Sequence, residues 1–107
     1  MTLSSYAVIA TDLFEIDLDE AVSYYLQMAG PRSAASLLDD YDTMRELLKT
    51  LPGYGSNVYG TPYRWRPLKS FIAVYAIDDE ARTVTLMRLF YLTSNWRERL
   101  LKEQGLE

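Results

Sequence analysis

Residues 63–96 read YRWRPLKSFIAVYAIDDEARTVTLMRLFYLTSNW, and this stretch decides the fold. Residues 71–77 are rich in aromatic and β-branched side chains, and residues 83–91 repeat that bias. Asp78, Asp79, Glu80 and Ala81 supply turn chemistry between them, so the pattern predicts a β-hairpin. Both faces of the hairpin are apolar. Strict alternation sends Phe71, Ala73, Tyr75 and Ile77 one way and Ile72, Val74 and Ala76 the other, and it opposes Val84, Leu86 and Phe90 to Met87 and Leu89. A single covering layer cannot bury two such faces.

Working outward, residues 63–68 predict a further strand, which Pro67 restricts to an edge or a bulge. The preceding GYGSNVYGTP, residues 53–62, carries three glycines and predicts a loop without regular structure. Upstream lie two amphipathic patterns. Phe14, Leu18, Val22, Tyr25 and Met28 form one helical stripe, opened by Thr11 or Asp12 as cap and closed by Gly30 and Pro31. Leu37, Tyr41, Met44, Leu48 and Leu51 form a second, from Ser33 until Pro52 and Gly53 stop it. So short a link requires an antiparallel helix pair whose joint stripe needs a sheet to cover. YAVIA at 6–10 predicts a buried first strand, and WRERLLKEQ at 96–104 a last short helix capped by Ser94 or Asn95. The predicted class is α+β, in the order β-α-α-β-β-β with a C-terminal helix.

Composition bounds the chemistry. The 107 residues contain 49% apolar side chains, enough for one domain with one modest core, expected to span 1–107. Cysteine and histidine are both absent, which removes thiolate chemistry, imidazole bases and the commonest metal ligand. Neither a cofactor nor a metal is expected, since no Walker, Rossmann or zinc pattern occurs. The opening MTLSSYAVIATDLFE lacks the basic and apolar regions of a signal peptide, and no apolar run is long enough to span a bilayer, so the expected location is cytoplasmic. The net charge of -4 is unevenly spread. Residues 1–54 carry nine acids against three bases (Arg32, Arg45, Lys49), whereas residues 55–102 carry eight bases against four acids. A basic C-terminal half suits a nucleic acid or an acidic peptide, or is an ordinary solvated surface.

Five pieces in this order and spacing resemble the RelE/ParE family, the small toxins of bacterial type II toxin–antitoxin systems: YAVIAT, TDLFEIDLDEAVSYY, SAASLLDDYDTMRELLKTLP, FIAVYAIDD and RLFYLTSNW. The resemblance covers roughly residues 6–101 and implies a small antiparallel sheet with the helix pair on one face and an open concave face opposite. It further implies a growth inhibitor acting on DNA gyrase, as ParE-like proteins do, or on ribosome-bound mRNA, as RelE-like proteins do, and a cognate antitoxin that neutralises it. The sequence departs from the family where ParE-type members close the last strand with a histidine followed by Arg-Asp-Trp. Tyr91, Ser94 and Asn95 stand at the first three of these positions and only Trp96 is unchanged, while Ile72 stands where the RelE branch carries an arginine. A non-enzymatic interaction module that only binds an antitoxin-like partner is therefore the alternative.

RNA cleavage by attack of a ribose 2′-hydroxyl needs a base, an acid and cations against the developing charge. Without histidine or metal ligands, the candidate catalytic set of a metal-independent, ribosome-dependent endonuclease is Arg66, Tyr91 and Arg97, with Arg66 and Tyr91 expected outside the helix-packed core. Arg88 alternates with Val84, Leu86 and Phe90, which puts it on the helix-facing side, where it is expected to pair with an acid such as Asp17. The face lined by Ile72, Val74, Met87 and Leu89, with Arg64 and Trp96 beside it, is expected to be covered by a partner peptide, the antitoxin tail in the family reading. Self-association as a homodimer, or the C-terminal helix folding back through Trp96 and Leu100, would cover it equally well.

Overall fold

The computed structural model describes residues 5–105. Strand β1 (Ala7–Ala10) leads into helices α1 (Asp12–Ala29) and α2 (Pro31–Thr50), a 3-10 turn (Pro52–Tyr54), strands β2 (Ser56–Asn57), β3 (Tyr63–Leu68), β4 (Phe71–Asp78) and β5 (Thr83–Tyr91), and helix α3 (Trp96–Glu103). The sheet order is β1-β5-β4-β3-β2; β1 runs parallel to β5 and every other pair is antiparallel. The α+β layout matches the sequence prediction, with two corrections: the sheet is mixed and not wholly antiparallel, because β1 runs parallel to β5, and β2 is an added strand. No helix among the described residues is long and apolar enough to cross a membrane.

The helix pair forms as its stripes require, with shifts at the ends. Thr11 caps α1 by accepting the Phe14 N–H at 3.1 Å, which satisfies one of the orphan donors of the first turn. Gly30 (φ 89°) is the entire link: its N–H donates to the Leu26 carbonyl and its carbonyl accepts from Ala34 N. The second helix therefore starts at Pro31, two residues earlier than expected, because proline at the first helical position forfeits only an N–H that would have no partner. Phe14, Ala21, Leu37, Met44 and Leu48 are buried against the sheet, while Met28 and Leu51, at the stripe ends, are 70% and 56% exposed.

The region expected to be a plain loop contains the 3-10 turn and β2, which puts β3 one strand in from the edge. Pro67 is tolerated because β2 pairs only with Trp65 and Arg64 and stops short of it. Tyr75, fully buried at the centre of β4, fixes this corner: its hydroxyl donates to the Pro52 carbonyl and accepts the Gly55 N–H, both at 2.8 Å. Burial raises the Tyr75 phenol above its usual value. A raised phenol pKa means that the folded protein keeps a proton the unfolded chain releases near pH 10, so stability is unaffected below that value and falls as pH rises beyond it. Tyr75→Phe should lose about 1–3 kcal/mol at neutral pH by stranding the Gly55 N–H. It should also show a shallower alkaline decline than the parent, a difference that denaturant titrations between neutral pH and pH 12 would reveal.

The largest departure from the predicted faces lies in β5. Val74 pairs with Arg88 and Tyr75 with Leu86, so Met87 is the extra residue of a β-bulge. Before the bulge, Val84 and Leu86 face the helix pair; after it, Leu89 faces them and Phe90 the opposite side, the reverse of the alternation count. Thr11 supports the bulge from outside, donating its hydroxyl to the Met87 carbonyl at 2.9 Å. Deleting Met87 would make 74↔88 and 75↔86 contiguous without turning any later side chain over. The deletion variant should therefore fold, losing about 1–2 kcal/mol as the Thr11 bond disappears, a modest cost because β1 pairs with β5 only as far as Leu86. Failure of that variant to give a cooperative melt would count against this reading of the register.

Two cores result. One lies between the helix pair and the sheet. The other lies on the opposite face, where α3 folds back so that Trp96 and Leu100 cover Ile72, Val74 and Phe90, with Val58 beside them and Trp65 and Tyr63 packed at the margin. The C-terminal helix thus accounts for the two-faced hairpin.

Candidate functional site

The three candidate catalytic residues stand on different parts of the molecule. Arg66 follows the β3 alternation to the side of Ala73 and Tyr75, which is the helix side. Its guanidinium lies 3.8 Å above the Tyr54 ring, in a cleft shared with Asp40, Thr43 and Lys69. Tyr91, at the end of β5, packs edge-on against Phe71 and Tyr24. It also stands on the side of α1, so both residues are on the helix side of the sheet, at its margin and not among the buried residues of the core there. Arg97 is on α3 across the sheet, over the rings of Trp96 (4.4 Å) and Trp65 (5.6 Å). None of the described clefts is lined by two of the three.

Electrostatics at Tyr91 run against use as a base. Its hydroxyl is 3.3 Å from that of Tyr24, and this hydrogen bond, then the charge Tyr24 would carry, raises the Tyr91 phenol above its ordinary value. A base working near neutrality needs the opposite shift. Tyr24, expected to be only a core or helix-surface aromatic, is thus the immediate neighbour of Tyr91, and Arg99 lines the same cleft. A contact across 67 residues of sequence leaves no mark on local pattern, so neither association was legible.

The expected partner face is divided. Ile72, Val74 and Trp96 are buried together beneath or within α3, Leu89 belongs to the helix-side core, and Met87 is the bulged residue. Arg64 is turned to the helix side, donating to the Gly55 carbonyl at 2.7 Å and the Gly53 carbonyl at 3.3 Å. Of the two expected caps of α3, Asn95 is the one at the cap position. It makes no side-chain bond there, and the Ser94 hydroxyl donates to the Tyr91 carbonyl.

Arg88 does pair with Asp17. Its Nε donates to Oδ2 at 2.7 Å and its Nη2 to Oδ1 at 3.2 Å, while Nη1 bonds Glu103 of α3. Asp17 Oδ2 also accepts the Leu89 N–H at 2.9 Å, filling the edge of β5 beyond Leu86, the last residue that β1 covers. The Asp17 bond is the main cause of the upward shift of the guanidinium pKa, so Arg88 is a fixed cation joining α1, β5 and α3.

Neither a family model nor a curated protein matches the sequence. Solved structures do. A chain of the chromosomal ParDE toxin–antitoxin system from P. aeruginosa superposes with a TM-score of 0.65 at 20% identity, over 81% of this chain and 96% of that one. A chain of the toxin–antitoxin complex RelBE2 from Mycobacterium tuberculosis gives 0.58 at 19% identity, over 84% and 94%. A metal-bound toxin from Helicobacter pylori gives 0.53 at 19%, over 80% and 93%. With its sheet order, its helix pair on one face and its short closing helix, this chain has the RelE/ParE toxin fold.

Proposed function

We propose that this chain is the toxin of a type II toxin–antitoxin pair, neutralised by a cognate antitoxin, and that it inhibits growth by binding DNA gyrase and not by cutting ribosome-bound mRNA. The fold shared with chains of toxin–antitoxin systems supports the toxin role. The observation that favours binding over cleavage is the condition of Tyr91, whose phenol is moved further from the range of a working base by its hydrogen bond with Tyr24 and which shares no described cleft with Arg66 or Arg97.

Induced expression in a bacterial host without the neighbouring antitoxin gene should arrest growth, with stabilised gyrase–DNA cleavage complexes and intact transcripts. Cleaved transcripts would overturn the choice of target. Normal growth would leave the chain an interaction module of toxin fold. Within the same assay, Tyr91→Phe should alter toxicity by no more than about twofold, whereas loss of a general acid or base typically costs 10²–10⁴ in rate.

A further inference from the structure

The tip of the β2–β3 connection presents a side chain that the proposed function leaves unused. Tyr59 is 98% exposed, while Val58 beside it is 3% exposed and packed in the α3 core. The turn between them is fixed. Thr61 N donates to the Val58 carbonyl at 3.1 Å and the Thr61 hydroxyl donates to the same oxygen at 2.8 Å. Val58 N is held by the Tyr63 carbonyl. Gly60, with φ 78°, occupies the third position of the turn, where a type II turn needs a positive φ. A large aromatic ring is therefore held in water on an ordered backbone, which lowers the entropy lost when it is captured.

The helix packed against this turn is cationic. Tyr63 donates its hydroxyl to Gln104 at 2.8 Å, and Val58 meets Trp96 and Leu100, so the turn and α3 form one surface. Arg97 and Lys102 of α3 are exposed and make no ion pair among the described residues, whereas Glu103 is engaged by Arg88 and Arg99 lies on the other flank of the helix, over Phe90 and in the cleft lined by Asp17 and Glu20. Only Glu98 opposes Arg97 and Lys102 on that helix. In a chain of net charge -4, this is a local positive field beside an aromatic anchor.

We propose that Tyr59, with Arg97 and Lys102 of α3, forms the surface by which this protein docks on an acidic protein, Tyr59 entering a pocket there and the two cations steering the approach. The identification of that acidic protein as the toxin's target rests on the function proposed above. Buried aromatics with arginine are the usual anchors of interfaces, and rim charges act chiefly on the association rate.

The test uses the full chain, its Tyr59→Ala and Lys102→Glu variants, and two arms. In the first, binding to the gyrase holoenzyme is followed by biolayer interferometry alongside growth on induction. Tyr59→Ala should bind at least about 30-fold more weakly and lose toxicity with an unchanged melting curve. Lys102→Glu should slow association about tenfold at low salt, an effect that high salt removes. A toxic wild type with an equally toxic, equally tight Tyr59→Ala variant overturns the docking surface and leaves the toxin role standing. The second arm does not depend on the target: amide shifts are recorded with polyglutamate and, separately, with oligo(dT). Shifts from polyglutamate confined to 58–61 and 97–102, and weakened by Lys102→Glu, support the surface even if growth is normal and the toxin role fails. No such shifts, or a preference for oligo(dT), overturns it.

Discussion

Asp17→Ala should be among the most damaging single substitutions in this protein, with an expected loss of about 3–5 kcal/mol from breaking an ion pair largely withdrawn from water. The Asp17 and Arg88 side chains are only 11% and 12% exposed, so removing the carboxylate strands a guanidinium that cannot lose its charge. The same change orphans the Leu89 N–H at the uncovered edge of β5. Glu103 is a partial substitute, because it is itself more exposed and grips only Nη1. Urea denaturation of the parent and the variant measures the loss. A double variant, Asp17→Leu with Arg88→Met, separates its parts: apolar replacement of both partners should recover the charge penalty and leave about 1–3 kcal/mol for the unpaired Leu89 N–H. A loss below about 1 kcal/mol in Asp17→Ala would mean that water reaches the pair and that it belongs with ordinary surface bridges.

The ion pair also marks where sequence reasoning succeeded for an incomplete reason. Alternation from Val84 placed Arg88 on the helix side, and pairing with Asp17 followed from that. In the structure Arg88 shares the face of Phe90, with its guanidinium 4.8 Å from that ring, and reaches Asp17 around the open edge of the strand. Helix stripes were legible because their 3.6-residue period survives a whole helix, and Phe14, Leu37, Met44 and Leu48 are buried as it requires. The strand period of two does not survive a single inserted residue. Met87 is an ordinary apolar residue in an apolar run, and what holds its carbonyl is Thr11, 76 residues earlier, already accounted for as a helix cap. The candidate site was hidden for the same kind of reason. Arg66, Tyr91 and Arg97 share a chemistry, but the faces on which β3, β5 and α3 present them follow from register and from the path of α3, neither of which residue type encodes.

Trp96→Ala is the second change with a large expected effect, and it tests what now covers the far side of the sheet. Trp96 is 4% exposed and packs on Phe90 and Trp65 with ring centroids 6.5 and 5.7 Å apart. Truncating a buried tryptophan costs about 3–5 kcal/mol where the site cannot collapse. Here the cost has a ceiling. Helix α3 is held by Trp96, Leu100, the Arg88–Glu103 pair and the Tyr63–Gln104 bond, so once that hold is weaker than the loss, the helix leaves and the helix-side core remains. The expected result is a cooperative unfolding transition that persists but is shifted to lower denaturant. Hydrophobic dye binding should rise, and amide protection should fall at Ile72 and Val74 before it falls at Leu37 or Leu48. Such an order of loss would assign the burial of Ile72, Val74 and Phe90 to the chain's own last helix. Unchanged protection at Ile72 and Val74 in Trp96→Ala would show that the sheet face stays dry without Trp96, and the second core would then have to be attributed to Val58, Trp65 and Leu100 alone.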